Sequence, residues 1–272
     1  MTIRILSISL CLFFAQALQA QTKTTKPFSI GEIAEIQSVV LAENRILNIY
    51  LPDGYNDKEK YPVIYLLDGS ANEDFLHIVG LVQFFNMTFK MPNTIIVGIA
   101  NIDRKRDFTF TTKLADLKKA YPTTGGSAKF IDFIEKELQP YIKSNYKTND
   151  TSTIIGQSLG GLLATEILLK KPDLFTNYII ISPSLWWDEE SLLKEAPTLL
   201  ASHNDHKRQV YVSVGTEGKV MEQDAAAIAK ALQKSGKKNL QVDFVKLPEE
   251  NHATILHNSV YAALKIRYPY KE

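Results

Sequence analysis

The chain has 272 residues, with 31 Lys and Arg against 30 Asp and Glu. That even balance excludes the one-sided basic excess of a nucleic-acid surface, and 45% hydrophobic residues exclude a disordered chain. A single cysteine, Cys11, excludes a disulfide framework, a CxxC metal site and a Cys–His catalytic pair.

Met1 to Ala20 reads MTIRILSISLCLFFAQALQA, with one positive charge at Arg4, an apolar run from Ile5 to Ala15, and small residues after it. The run falls short of the ~20 apolar residues that span a bilayer, so the layout predicts a cleaved secretory signal peptide over 1–20. An uncleaved anchor is the alternative. Cleavage fits after Ala17, by the A-x-A pattern, or after Ala20. Removal takes away Arg4 and Cys11, leaving 30 charges of each sign and no thiol. That suits an oxidising compartment. The expectation is an exported protein, periplasmic or secreted, with no membrane span in its mature chain.

Strands are predicted at Ile33–Leu41 and Arg45–Leu51, the second closed by the turn signal Pro52-Asp53-Gly54. Pro62–Leu67 (PVIYLL) and Thr94–Ile99 (TIIVGI) are continuous apolar runs of strand length, as strands buried on both faces should be. Between them Phe75, Ile78, Val79, Val82 and Phe85 mark a helix. Asn101 to Gly126 has no strong period and reads as loop around a short helix. Phe130, Phe133, Ile134, Leu138, Tyr141 and Ile142 form the apolar stripe of an amphipathic helix.

Further strands are expected at Thr153–Gly156, Tyr178–Ile181, Val210–Val214 and Val242–Leu247. Helices are expected at Leu159–Lys170, Ala225–Gln233 and Ala253–Ile266. Strands separated by helices predict an α/β fold, a mostly parallel central sheet with helices on both faces. No linker or repeat interrupts the pattern, so one domain is expected over 27–270.

Gly156-Gln157-Ser158-Leu159-Gly160-Gly161 matches G-x-S-x-G between an apolar strand and an apolar helix, the setting of a nucleophile elbow. A simple Gly-rich turn is the alternative. Gly156 and Gly160 are expected to let strand and helix pass closely, lifting the Ser158 hydroxyl to a helix N-terminus where the Leu159 N–H faces a developing oxyanion.

A serine nucleophile needs a base. His77 and His257 fall on helices, and His203 and His206 in a polar loop. His252 follows the last strand, from which an imidazole can reach back over the strand ends to Ser158. The acid is expected after Val210–Val214, where Glu217, Glu222 and Asp224 compete. Glu217 stands nearest the strand end; Asp224 reads as an N-cap and Glu222 as a solvated charge. A Ser–His dyad without an acid is the remaining option. A second oxyanion donor is expected from the N–H of Gly69 or Ser70, after the first buried strand. Trp186 and Trp187, and the charged stretch Arg104, Arg106 and Asp107, are candidates to line a substrate pocket. No HExxH, GxGxxG or GxxxxGK[ST] occurs, so neither a metal nor a nucleotide cofactor is expected.

With YPVIYLLDG ending at Gly69, R-K-R-D ending at Asp107, GQSLGG, SPSLWW ending at Trp187 and ENH ending at His252, the chain from about Ile30 to Ile266 resembles the esterase D-like "Putative esterase" family of α/β-hydrolases. Within it the siderophore trilactone esterase type is most similar. The resemblance implies an α/β-hydrolase fold and a cofactor-free serine esterase with Ser158 as nucleophile and His252 as base, and an oxyanion hole at Leu159 and the Gly69–Ser70 turn. Gln157 stands where many members carry His, and Glu217 where carbohydrate esterases show Asp one place later. The expected substrate is a small-molecule or oligosaccharide ester, first of siderophore type. An acetyl or feruloyl esterase of plant polysaccharide and a non-catalytic binding protein on the same scaffold are the alternatives.

Overall fold

The computed structural model describes residues 25–271, and the segment expected to be a signal peptide, 1–20, lies outside them. Gly31 to Glu272 forms one compact unit. Inside that unit, period-two burial builds a sheet with two cores. Every residue of Tyr61–Leu66 is buried. Val63 and Tyr65 enter the larger core on one face, while Ile64 and Leu66 enter the smaller core on the other. The same alternation sends Ile154 to one face and Ile155 to the opposite one.

The strands are β1 (Glu32–Ser38), β2 (Glu43–Tyr50), β3 (Tyr61–Leu66), β4 (Ile95–Ile99), β5 (Thr148–Gln157), β6 (Asn177–Ile181), β7 (Arg208–Gly215) and β8 (Leu240–Leu247). They form one sheet in the order β1-β2-β4-β3-β5-β6-β7-β8. β1–β2 and β2–β4 pair antiparallel, and every later pair is parallel. The predicted first strand stops at Ser38 rather than Leu41 because its next N–H groups leave the ladder. Val39 and Val40 donate to Glu137 at 2.9 and 3.0 Å, and Leu41 donates to Ser38 Oγ.

The helices are α1 (Phe75–Thr88), α2 (Arg104–Phe108), α3 (Ala115–Ala120), α4 (Ser127–Phe133), α5 (Gln139–Asn145), α6 (Leu159–Lys170), α7 (Ser191–Ala201), α8 (Lys219–Gln233) and α9 (Ile255–Arg267). α1 and α9 supply Val82, Phe85, Val260 and Leu264 to the smaller core, and α4, α6 and α8 supply Phe130, Leu163 and Ile228 to the larger one. Among the described residues no helix is long and apolar enough to cross a membrane.

Further elements depart from the pattern read from the sequence, and β5 begins at Thr148, five residues before its predicted start. The stretch 101–126 holds two short helices, not one. The single predicted helix around Phe130–Ile142 is interrupted by a π turn (Ile134–Leu138) that joins α4 to α5. Pro140 lacks an N–H to continue the regular ladder, and Gln139 donates five residues back to the Ile134 carbonyl. α7 occupies a stretch with no predicted element. α8 begins at Lys219, six residues before the predicted start.

Parallel pairing brings the C-terminal ends of β3, β5, β7 and β8 to one rim of the sheet. The segments after those four strands carry the candidate catalytic and oxyanion-hole residues, and those after β4 and β6 carry the pocket candidates.

Candidate active site

Ser158 lies between β5 and α6 with φ 59° and ψ −120°, a conformation that costs an L-residue energy and persists only where the surroundings over-determine it. Here its N–H donates to the Ile181 carbonyl at 3.1 Å, and its own carbonyl accepts from Leu162 and Ser184 at 2.9 and 3.0 Å. A Cβ on Gly156 would lie 2.3 Å from the Gly160 carbonyl oxygen, so α6 passes directly over the end of β5. Gly160 itself does not have the tight packing expected of it, since a Cβ there would have its nearest neighbour at 3.4 Å. The second crowded glycine is Gly161, whose Cβ would sit 2.9 Å from both the Ile181 oxygen and Pro183 Cα.

His252 sits on the loop between β8 and α9. Its Nε2 is 3.0 Å from Ser158 Oγ, and its Nδ1 is 2.5 Å from Glu217 Oε2. The Glu217 carboxylate is 1% exposed, and its second oxygen accepts from Ser182 Oγ at 2.5 Å and the Gly215 N–H at 2.9 Å. Burial raises the Glu217 pKa, but the hydrogen bonds from His252, Ser182 and Gly215 outweigh it and hold the carboxyl below its ordinary value. With a carboxylate accepting at Nδ1, the neutral imidazole carries its proton there and turns the Nε2 lone pair to Ser158.

Three further bonds tie the loops together. Thr216 donates its N–H to the Glu250 carbonyl at 2.7 Å and its hydroxyl to the Pro248 carbonyl at 2.9 Å. Gln157 donates from Nε2 to the His252 carbonyl at 2.5 Å. Of the three competing carboxylates, only Glu217 reaches His252. Glu222 is not a free solvated charge, because it accepts the N–H groups of Glu217 and Gly218 at the start of α8, both at 3.2 Å. Asp224 is not an N-cap. Gly218 holds that position, and Asp224 lies buried within the helix, its Oδ2 unpartnered. Burial, with Glu190 nearby, pushes its carboxyl up to about 6.

Leu159 is the first residue of α6, so its N–H has no acceptor within the helix and is free to face the site. Gly69 cannot share the role expected of it, because its N–H is donated to the Ile99 carbonyl at 3.0 Å. Its lack of a Cβ serves packing instead, since a Cβ there would lie 2.4 Å from Gly98 Cα. Ser70 keeps its N–H nearly unspent, at a long 3.4 Å from Glu73 Oε2.

Ser158 and His252 open into a cleft of about 390 Å³ that is also lined by Asp68, Glu73, Asp74, Arg104 and Gln157. Arg104 grips Asp68 with Nε–Oδ1 at 2.6 Å and Nη2–Oδ2 at 2.9 Å. Burial, then the neighbouring Asp68 and Glu73, push the Asp74 carboxyl up to about 6. Glu73 and Asp74 were not among the residues the sequence marked as candidates. The available signal was Ser70-x-x-Glu73 at a strand end, the spacing of a capping box.

Of the residues read as pocket candidates, Arg104 lines the cleft, and Arg106, Asp107, Trp186 and Trp187 lie elsewhere. Arg106 is committed to Glu43 at 2.6 Å and Asp107 at 2.7 Å, beside the fully buried Arg45. Trp187 is fully buried and donates from Nε1 to the Phe110 carbonyl at 3.0 Å. Trp186 is half-buried beside Tyr121, away from the cleft lining.

A mostly parallel eight-stranded sheet flanked by helices on both faces, with a strained serine at a strand-to-helix elbow, is the architecture of an α/β-hydrolase. The chain belongs to the esterase family whose model is described as "Putative esterase", which matches residues 38–261. It is accordingly a carboxylic ester hydrolase. It is 30% identical over 247 residues to Ferri-bacillibactin esterase BesA of Bacillus subtilis, covering 82% of this chain and 85% of that one. An IroE-like serine hydrolase from Shewanella oneidensis superposes with a TM-score of 0.80 at 32% identity, covering 88% of this chain and 80% of the other. A BES protein from Bacillus cereus does so at 0.78 and 29%, covering 93% and 100%.

Proposed function

We propose that the protein is an exported serine esterase in which Ser158, His252 and Glu217 act as nucleophile, base and acid on a siderophore-type ester. The observation that carries the mechanism is the unbroken hydrogen-bonded line from Ser158 Oγ through His252 to a buried Glu217 carboxylate. In the first step Ser158 gives its proton to His252 Nε2 while Oγ attacks the ester carbonyl carbon. Glu217 stabilises the imidazolium that forms, and the N–H groups of Leu159 and Ser70 receive the oxyanion. His252 then returns the proton to the departing alcohol, leaving an acyl-Ser158. Water, deprotonated by His252, releases the acid and restores the hydroxyl.

The relatives support the substrate class, since they include a ferri-bacillibactin esterase and an IroE-like hydrolase. The layout of residues 1–20 and the absence of cysteine after Cys11 support export.

The test is a serine-directed phosphonate probe, with the adduct mapped by mass spectrometry, beside hydrolysis of p-nitrophenyl butyrate and a ferric triester siderophore. Labelling at Ser158, lost in Ser158→Ala together with both activities, is the expected result. Retained hydrolysis in Ser158→Ala refutes the mechanism. Release of acetyl or feruloyl groups from xylan without siderophore cleavage refutes the substrate class.

A further inference from the structure

The turn Ser182-Pro183-Ser184 follows β6 and touches both ends of the proton relay. Ser182 is fully buried with φ 42°, and its N–H is fixed on the Ser213 carbonyl at 2.8 Å. That leaves its hydroxyl facing Glu217 Oε1 at 2.5 Å. Two residues later Ser184 is 2% exposed, donates its N–H to the Ser158 carbonyl at 3.0 Å, and places its Oγ 3.3 Å from Ser158 Oγ. Pro183, between them, sits where any Cβ on Gly161 would collide with it, so the turn lies hard against the first turn of α6. Trp187 anchors the far end, buried and hydrogen-bonded to Phe110.

The direction of the Ser184 bond follows from the relay. Glu217 accepts on the Nδ1 side, so His252 Nε2 is an acceptor and the Ser158 proton points to it. Ser158 Oγ can then only accept from Ser184. We infer that Ser182-Pro183-Ser184 is a rigid strap that sets the relay at both ends, with Ser184 a catalytic residue donating a hydrogen bond to the nucleophilic oxygen and Ser182 a positioning residue acting through Glu217. This rests on the assignment of Ser158, His252 and Glu217 proposed above.

The strap transfers no proton. Ser184 steers the Ser158 oxygen and stabilises the negative charge it gains as its proton leaves for His252, and again when acyl-Ser158 breaks down and the same oxygen departs. A bond that strengthens as charge develops is felt in kcat rather than KM. Ser182 keeps the Glu217 carboxylate charged and aimed. Besides His252, the charged neighbour of that segment is Glu222, which bonds the Glu217 backbone.

The test measures p-nitrophenyl butyrate hydrolysis by the purified protein from pH 4 to 9 for Ser184→Ala, Ser184→Cys and Ser182→Ala, with Ser158→Ala alongside. Ser184→Ala is expected to lower kcat roughly ten- to a hundredfold with KM nearly unchanged, the loss of one hydrogen bond to a charged group. Ser184→Cys, close in size but a weak donor, is expected to match it and stands in should the alanine variant fail to fold. Ser182→Ala removes one of the bonds that hold the Glu217 carboxyl down, so the low-pH fall in activity is expected to move to higher pH. Wild-type kcat in either folded Ser184 variant, or an unmoved acid limb in Ser182→Ala, overturns the strap. If Ser158→Ala retains activity, the relay itself fails; if it is inactive while the Ser182 and Ser184 variants behave as wild type, only the strap does.

Discussion

Replacing Glu217 by Gln keeps the shape of the acid and changes one hydrogen-bonding face. Oε1 already accepts two hydrogen bonds, from Ser182 Oγ and the Gly215 N–H. Of the two amide groups of Gln, only the carbonyl oxygen can take that place, so the NH2 is forced toward His252 Nδ1. A donor facing Nδ1 requires a lone pair there, and the ring must then carry its proton on Nε2. That proton points at Ser158 Oγ, 3.0 Å away, and the imidazole can no longer accept from it. The wrong tautomer in a Ser-His-acid relay costs on the order of 10⁴ in kcat, about 5.5 kcal/mol of transition-state stabilisation. The assay is kcat for p-nitrophenyl butyrate at pH 8, with circular dichroism to verify the fold and phosphonate labelling of Ser158 as a second readout. A loss smaller than tenfold in a folded Glu217→Gln protein would show that Glu217 does not set the tautomer, and the relay would reduce to Ser158 and His252.

The elbow glycines are expected to rank by the space around them. Gly156→Ala meets backbone at 2.3 Å and should fail to fold or lose most of its thermal stability. Gly161→Ala, at 2.9 Å, should be impaired, and Gly160→Ala, at 3.4 Å, should stay close to the parent. Thermal midpoints in any other order would contradict the packing described. Asp107→Ala leaves the fully buried Arg45 guanidinium with only Glu43 as a paired carboxylate, and breaking a buried pair this way costs about 3–5 kcal/mol, read from urea unfolding. A cost under about 1 kcal/mol would mean that Arg45 is solvated. Asp74 carries a folded-state pKa of about 6, above the ordinary carboxylate value, so folding disfavours its charged form. Its contribution to stability falls as pH rises through that range. Asp74→Asn is therefore expected to raise the thermal midpoint at pH 8 and to leave it nearly unchanged at pH 4, and equal effects at both pH values would refute the sign.

Much of this was legible in the amino-acid sequence. A buried parallel strand is an unbroken apolar run because both of its faces meet helices, and PVIYLL and TIIVGI read that way at once. The G-x-S-x-G between TIIG and LLATEILLKK is likewise local, since strand, turn and helix are contiguous in sequence. Chain order alone placed His252 and Glu217 on the same rim as Ser158, because parallel strands deliver the segments after their C-terminal ends to one edge. Boundaries were less legible where the deciding partner is distant. β1 stops because Glu137, nearly a hundred residues on, takes its next two N–H groups, and the π turn depends on where Gln139 finds its carbonyl.

The sequence by itself determined the α/β alternation, the serine elbow and the histidine that follows the last strand, because each is set by periodicity or by residues adjacent in the chain. Only the tertiary structure decided which carboxylate meets His252, that Gly69 has already spent its N–H, and that Arg106 and Trp187 belong to the framework while Asp68, Glu73, Asp74 and Arg104 line the cleft. Those outcomes turn on hydrogen bonds and exclusions between segments tens of residues apart. A donor or a carboxylate carries no mark in the sequence of which distant partner it will satisfy first.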